Sequence, residues 1–132
     1  MSASGSRHSP VVVVGFDESP GALSALAYAV ARAKRRGQIV VVQASPDPLA
    51  LPTAARALVE RLPLPYGMRC SPVVRAGSPA SVLAEVATEF DADEIAVGRH
   101  GSDGRRQGLG TVPPALLGQT ERPVVVVPTA AS

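Results

Sequence analysis

The sequence predicts an α/β domain: an open, five-stranded parallel sheet with helices on both faces. Three observations predict it. Five short segments rich in β-branched residues recur along the 132 residues. Apolar stripes at helical spacing separate several of them. The runs VVVV, IVVV and a second VVVV show no in/out alternation, which is the pattern of strands buried on both faces of a parallel sheet.

The strand candidates are Val11 to Phe16, Gln38 to Ala44, Arg69 to Arg75, Glu94 to Gly98 and Pro123 to Pro128. After the first, Ser19-Pro20 supplies an N-cap and a proline at the first helical position, and Leu23, Leu26, Ala27, Val30 and Ala31 repeat at helical spacing. This helix is expected to end at Gly37, with Lys34, Arg35 and Arg36 in its last turn, where cations complement the carbonyl end of the dipole. Between Ser45 and Met68, prolines 46, 48, 52, 63 and 65 leave room for one short helix, roughly Thr53 to Leu62. Ser78-Pro79 repeats the start signal, and Val82, Leu83, Val86, Ala87 and Phe90 make the next apolar stripe. A last helix is expected from near Thr111 to about Glu121. Short strands alternating with helices call for right-handed crossovers within one sheet. Residues 1–9 read as a flexible tail and 10–132 as the domain, with loose residues after Pro128.

Composition narrows the function classes. With 45% hydrophobic and 18% charged residues, the chain has enough apolar content for one core and too little length for two domains. Thirteen Lys and Arg against eleven Asp and Glu leave +2, short of the basic excess that marks nucleic-acid or anionic-membrane partners. One cysteine, Cys70, excludes an internal disulfide and reads as a buried small hydrophobe. No Cys/His cluster suggests zinc. The opening MSASGSRHSP lacks the apolar stretch of a secretory signal, and no apolar run is long enough to span a bilayer, so a soluble cytoplasmic protein is expected.

In parallel α/β sheets, ligands bind beyond the carboxyl ends of strands, where strand order reverses. The first strand runs into Gly15-Phe16-Asp17-Glu18-Ser19-Pro20 and the fourth into a glycine-rich stretch from Gly98 through Gly101 to Gly110-Thr111. Glycines ahead of a helix are the composition of a loop whose amides approach an anion; a plain glycine-rich surface loop has the same composition. Neither GXXXXGK(S/T) nor a GXGXXG after the first strand is present. His100 has no serine, cysteine or second carboxylate placed by sequence to complete a nucleophile-base pair. Arg105 and Arg106 read equally as phosphate cover or as solvated charges, and His8 as solvated tail.

Three stretches carry a resemblance: VVVVGFDESPGALSALAYAVARA, AGSPASVLAEVATEFDADEIAVGRHG, and Gly110-Thr111 followed by a helix and PVVVVP. Together they resemble the universal stress protein family, flavodoxin/Rossmann-like domains of which one branch binds ATP. The resemblance implies strand order 3-2-1-4-5. It also implies that Asp17 meets the adenosine, that backbone near Ala44 meets the adenine edge, and that Gly98, Gly101, Gly110, Thr111 and Val112 hold ribose and phosphates. Mg²⁺ would ride on the ATP phosphates, with no metal site on the protein itself. Two features depart from the ATP-binding pattern: eight rather than nine residues precede Gly110, and Pro113 and Pro114, which lack amide protons, stand at the start of the last helix.

Two functions follow from the resemblance. The first is an ATP-binding stress-response regulator, with slow hydrolysis at most because no acidic cluster beyond Asp17, Glu18 and Asp103 is available to organise a metal and water. The second is a nucleotide-independent homodimeric module with a vestigial phosphate loop. Both imply a homodimer through the last strand, Val124, Val125, Val126 and Val127. An electron-transfer or hydrolase role rests on fold analogy alone. Gly98→Val or Gly110→Val is expected to abolish nucleotide binding while leaving fold and dimer intact, because side chains would fill the phosphate approach.

Overall fold

The computed structural model describes residues 9–34, 36–99 and 111–129. Strands β1 (Val11–Gly15), β2 (Gln38–Ser45), β3 (Arg69–Ala76), β4 (Glu94–Gly98) and β5 (Val124–Val127) alternate with helices α1 (Pro20–Ala33), α2 (Ala54–Arg61), α3 (Pro79–Glu89) and α4 (Val112–Leu117). All strand pairs are parallel, and the order is β3-β2-β1-β4-β5. The expected fold class is therefore the observed one.

Two apolar clusters cover the two faces. One gathers Val12, Val14, Ile39 and Val41 with α1 and α2 residues such as Leu26 and Ala55. The other gathers Val13, Val40, Ile95 and Val97 with Leu83 and Val86 of α3 and Leu116 of α4. Alternate valines of each run thus serve opposite clusters, which explains why central strands read as continuous apolar segments. The last run behaves differently from the expectation. Its four valines are only half-buried, because β5 is an outer strand with one neighbour.

Helix ends are where the sequence expectation needs correction. The backbone leaves α1 at Lys34, which adopts φ 59°, so Lys34 and Arg36 lie past the helix and Arg32 is the cation of its last turn. Arg35 lies outside the described residues. At α4 the helix closes at Leu117, short of Glu121, through amides of Gln119 and Thr120 donating back to the Leu116 carbonyl. Cys70 is half-buried on β3, packed against the first cluster, and burial pushes its thiol pKa up.

The amino end of the sheet is closed by polar groups. Buried Glu94 accepts a hydrogen bond from the Tyr28 hydroxyl and pairs with Arg32 at 3.3 Å. Next to it, the Asp93 carboxylate accepts from the Val11 amide at 2.7 Å, tying β4 to the start of β1. These contacts leave the opposite, carboxyl rim open for a ligand.

Candidate functional site

Strand order reverses between β1 and β4, since β2 lies on one side of β1 and β4 on the other. At the carboxyl rim of this junction lies a pocket of about 100 Å³. Its floor is Gly15 and Phe16 of the β1 end, Val42 and Ala44 of β2, and Val97 and Gly98 of β4. The first turns of α1, α3 and α4 form its walls, through Ser19 and Ala22, Pro79 and Leu83, and Thr111, Val112 and Pro113. Right-handed crossovers bring every helix N-terminus to the rim where strands end, so this enclosure follows from the topology.

The structure brings five of the seven expected site residues together here: Asp17, Ala44, Gly98, Thr111 and Val112 all line the pocket. Gly101 and Gly110 lie outside the described residues, as do His100, Arg105, Arg106 and His8.

Asp17 has local work besides facing the pocket. Its Oδ1 accepts from the Ser19 amide at 3.0 Å and from the Ser19 hydroxyl at 2.5 Å. That turn aims the Ser19 Oγ at the Ala22 amide, 3.2 Å away, where it caps α1. Between them Glu18 takes a left-handed conformation, φ 67°. Its carboxylate accepts from Gln43 Nε2 at 3.5 Å, and Gln43 Oε1 accepts from the Ala55 amide at 3.0 Å. Buried Gln43 therefore locks the β1–α1 turn to β2 and to the start of α2.

Gly98 is glycine for a packing reason. A Cβ there would stand 2.6 Å from the carbonyl carbon and 2.8 Å from the carbonyl oxygen of Gly21 in α1. The expectation that Gly98→Val spares the fold is therefore overturned: the space it would fill is occupied by α1 backbone.

Sequence reasoning missed several lining residues, chiefly Val42, Leu83, Pro79 and Ser19. Signals for them existed. Val42 is two residues before Ala44 and so shares its side of the strand. Ser19, Pro79 and Leu83 sit in or beside first helical turns, which this topology always delivers to the ligand rim. The resulting site is an apolar slot with a carboxylate, two hydroxyls and exposed backbone at its edges. Among the described lining residues Asp17 carries the only charge, and among the described residues no group of His, Cys, Asp and Glu could hold a metal ion. No helix among the described residues is long and apolar enough to cross a membrane.

A parallel 3-2-1-4-5 sheet with a pocket at its reversal point defines the chain as a doubly wound α/β domain. Within that class it belongs to the universal stress protein family, whose sequence profile matches residues 54–128. Among curated proteins no sequence matches significantly. Solved structures do. The chain is similar to universal stress protein UspA from Lactobacillus plantarum, with 18% identity and a TM-score of 0.73 over 91% of this chain and 98% of that one. It is similar to a universal stress protein solved in complex with cAMP, at 27% identity and TM-score 0.67 over 92% and 98% of the two chains. A third, the Archaeoglobus fulgidus universal stress protein in complex with dAMP, is 20% identical with TM-score 0.64 over 91% and 98%.

Proposed function

We propose that this universal stress protein binds an adenine nucleotide in the pocket between β1 and β4 and acts as a cytoplasmic stress-response regulator rather than as a fast enzyme. The convergence of Asp17, Ala44, Gly98, Thr111 and Val112, drawn from far-apart stretches of sequence, on one pocket carries the reading. The 27%-identical relative in complex with cAMP supports it.

The residues present fit such a ligand. Val42, Leu83 and Val97 offer apolar walls for a base, with β2 backbone at Ala44 reading the adenine edge. Asp17 is suited to ribose hydroxyls. Gly98, Thr111 and Val112, joined in this proposal by Gly101 and Gly110, hold ribose and phosphate. The resemblance implies ATP, with Mg²⁺ carried on its phosphates. Slow turnover is expected because, among the described lining residues, Asp17 is the one carboxylate that could help organise a metal and an attacking water.

The homodimer belongs to the same proposal. Outer strand β5 presents four half-buried valines at the edge of the sheet, an arrangement that favours pairing with a second copy. Calorimetric titration of nucleotide-free protein with adenine nucleotides tests the binding. Micromolar affinity is expected; a flat titration would leave the nucleotide-independent dimer module as the function.

A further inference from the structure

The net charge of +2 averages out a local concentration of cations. The topology places the ends of α1 and α2, and the turns that follow them, at the amino end of β2 and β3, opposite the pocket. The two segments that meet there, residues 33–39 and 58–71, carry Lys34, Arg35, Arg36, Arg61 and Arg69 against one acid, Glu60. The Arg69 amide donates to the Gly37 carbonyl at 3.1 Å, which brings Arg69 up to the segment that holds Lys34 and Arg36. Lys34, Arg36, Arg61 and Arg69 are all exposed, and the described ion pairs use other cations, Arg32, Arg75 and Arg122. Beyond the described residues the one acidic side chain is Asp103, between Gly98 and Thr111 of the opposite rim. This end of the molecule therefore presents a positive field to a partner.

Between Arg61 and Arg69 the chain displays Tyr66, 90% exposed. The Met68 amide donates to the Pro65 carbonyl at 3.1 Å and Gly67 takes φ 88°, so Tyr66 stands at the second position of a type II turn. Leu64 and Met68, on either side, pack into the cluster formed with α1 and α2. The tyrosine is thus held out on an anchored turn that has little freedom left to lose on binding. Protein partners take a tyrosine anchor in a walled, desolvated pocket. An open ring face suits a planar base instead, because stacking needs only a flat π surface. Three of the four described cations are arginines, whose guanidinium fork matches phosphate oxygens.

We propose that the amino end of β2 and β3, with the ends of α1 and α2, binds single-stranded nucleic acid: Tyr66 stacks a base, and Lys34, Arg36, Arg61 and Arg69 neutralise backbone phosphates. This surface is separate from the pocket and does not depend on the nucleotide reading of the carboxyl rim.

Fluorescence anisotropy of a labelled oligothymidylate of about twelve nucleotides, titrated with the full chain at low salt, tests it. Binding at about 1–100 μM is expected, weakening as salt rises. Tyr66→Ala should weaken it about tenfold through the loss of one stacked base, whereas Tyr66→Phe keeps the ring and should stay within about twofold. Arg36→Ala and Arg69→Ala should each lower the slope of log affinity against log salt by about 0.7. These three positions are exposed, so an unchanged thermal midpoint is expected and shows the variants folded. Saturating AMP should leave the affinity unchanged; competition by AMP would put the strand in the pocket and overturn the proposal. Absence of binding at low salt would overturn it outright. Native-like binding by Tyr66→Ala would overturn it too, and if polyglutamate of equal charge then competed as well as the oligonucleotide, the surface would belong to an acidic polypeptide.

Discussion

Gly98 and Gly21 meet backbone to backbone: a Cβ on Gly98 would lie 2.9 Å from the Gly21 Cα and closer still to its carbonyl group. Contacts that short do not occur, so β4 and the first turn of α1 can approach only if residue 98 is glycine. The same contact sets the width of the pocket, because Gly98 lines it and α1 contributes Ser19 and Ala22.

Gly98→Ala should therefore act on the fold first. Pushing α1 away from β4 is an overpacking change worth about 1–3 kcal/mol, and Gly98→Val should exceed it. Thermal unfolding should show a midpoint lowered by several degrees in the alanine variant. An unchanged midpoint with lost nucleotide binding would return Gly98 to a purely ligand-facing role.

Asp17 combines a turn with a place in the pocket, and two substitutions separate these. Asn keeps an oxygen for the Ser19 amide and hydroxyl but removes the charge; Ala removes both. Asp17→Asn should stay within about 0.5 kcal/mol of native stability, whereas Asp17→Ala should lose about 1 kcal/mol through the weakened α1 cap. If Asp17 holds ribose, both variants weaken nucleotide binding. Chemical denaturation alongside titration reads the two effects independently.

How much of this was legible in the sequence depends on the distance over which each cause acts. Central strands β1 and β2 announced themselves because burial on two faces forbids alternation. The starts of α1 and α3 were legible because Ser-Pro encodes a helix start locally. The candidate site residues at strand ends, Asp17, Ala44 and Gly98, were named from the resemblance to the universal stress protein family, with the topology pointing only to the rim where they lie. What could not be read was pairing across the fold. Glu94 and Tyr28 are 66 residues apart, and nothing near either one signals the other. The Gly98–Gly21 contact is of the same kind: each glycine reads as a turn or loop residue until β4 and α1 are seen side by side. The end of α4 was misjudged because Gly118 and Gln119 close it by local hydrogen bonds that helical periodicity alone does not reveal.

The Tyr28–Glu94 pair yields a pH dependence. The Tyr28 hydroxyl has its pKa raised, first by donating to Glu94, then by burial and by the negative charge of Glu94, with Arg32 opposing. A raised folded-state pKa means that the neutral phenol is favoured by folding. Its contribution is complete below the ordinary tyrosine value of about 10 and is lost as pH climbs through the higher folded value. Native protein should lose stability above about pH 10 more steeply than Tyr28→Phe, which has no proton to lose there. At neutral pH the phenylalanine variant should be less stable by about 1 kcal/mol for the missing hydrogen bond. Melting curves between pH 7 and 11 for both proteins make the comparison; parallel curves would mean that the pair does not persist in solution.

The half-buried valines of β5 give the last prediction. An outer strand of bare valines is normally covered, blunted by charge or paired, because its open edge and apolar side chains invite a second strand. In β5, Val124 and Val126 pack on one core cluster and Val127 on the other, which leaves Val125 the better position to alter without unseating the strand. A lysine at 125 adds to the edge the kind of charge that natural sheets use to prevent pairing. Native protein is expected to sediment as a dimer at micromolar concentration and Val125→Lys as a monomer. Their melting curves, compared at a concentration where both are monomeric, should differ by a few degrees at most, since the strand's contacts with β4 remain. A native monomer at all concentrations would mean that β5 faces water in solution and would remove the shared interface from both functional readings.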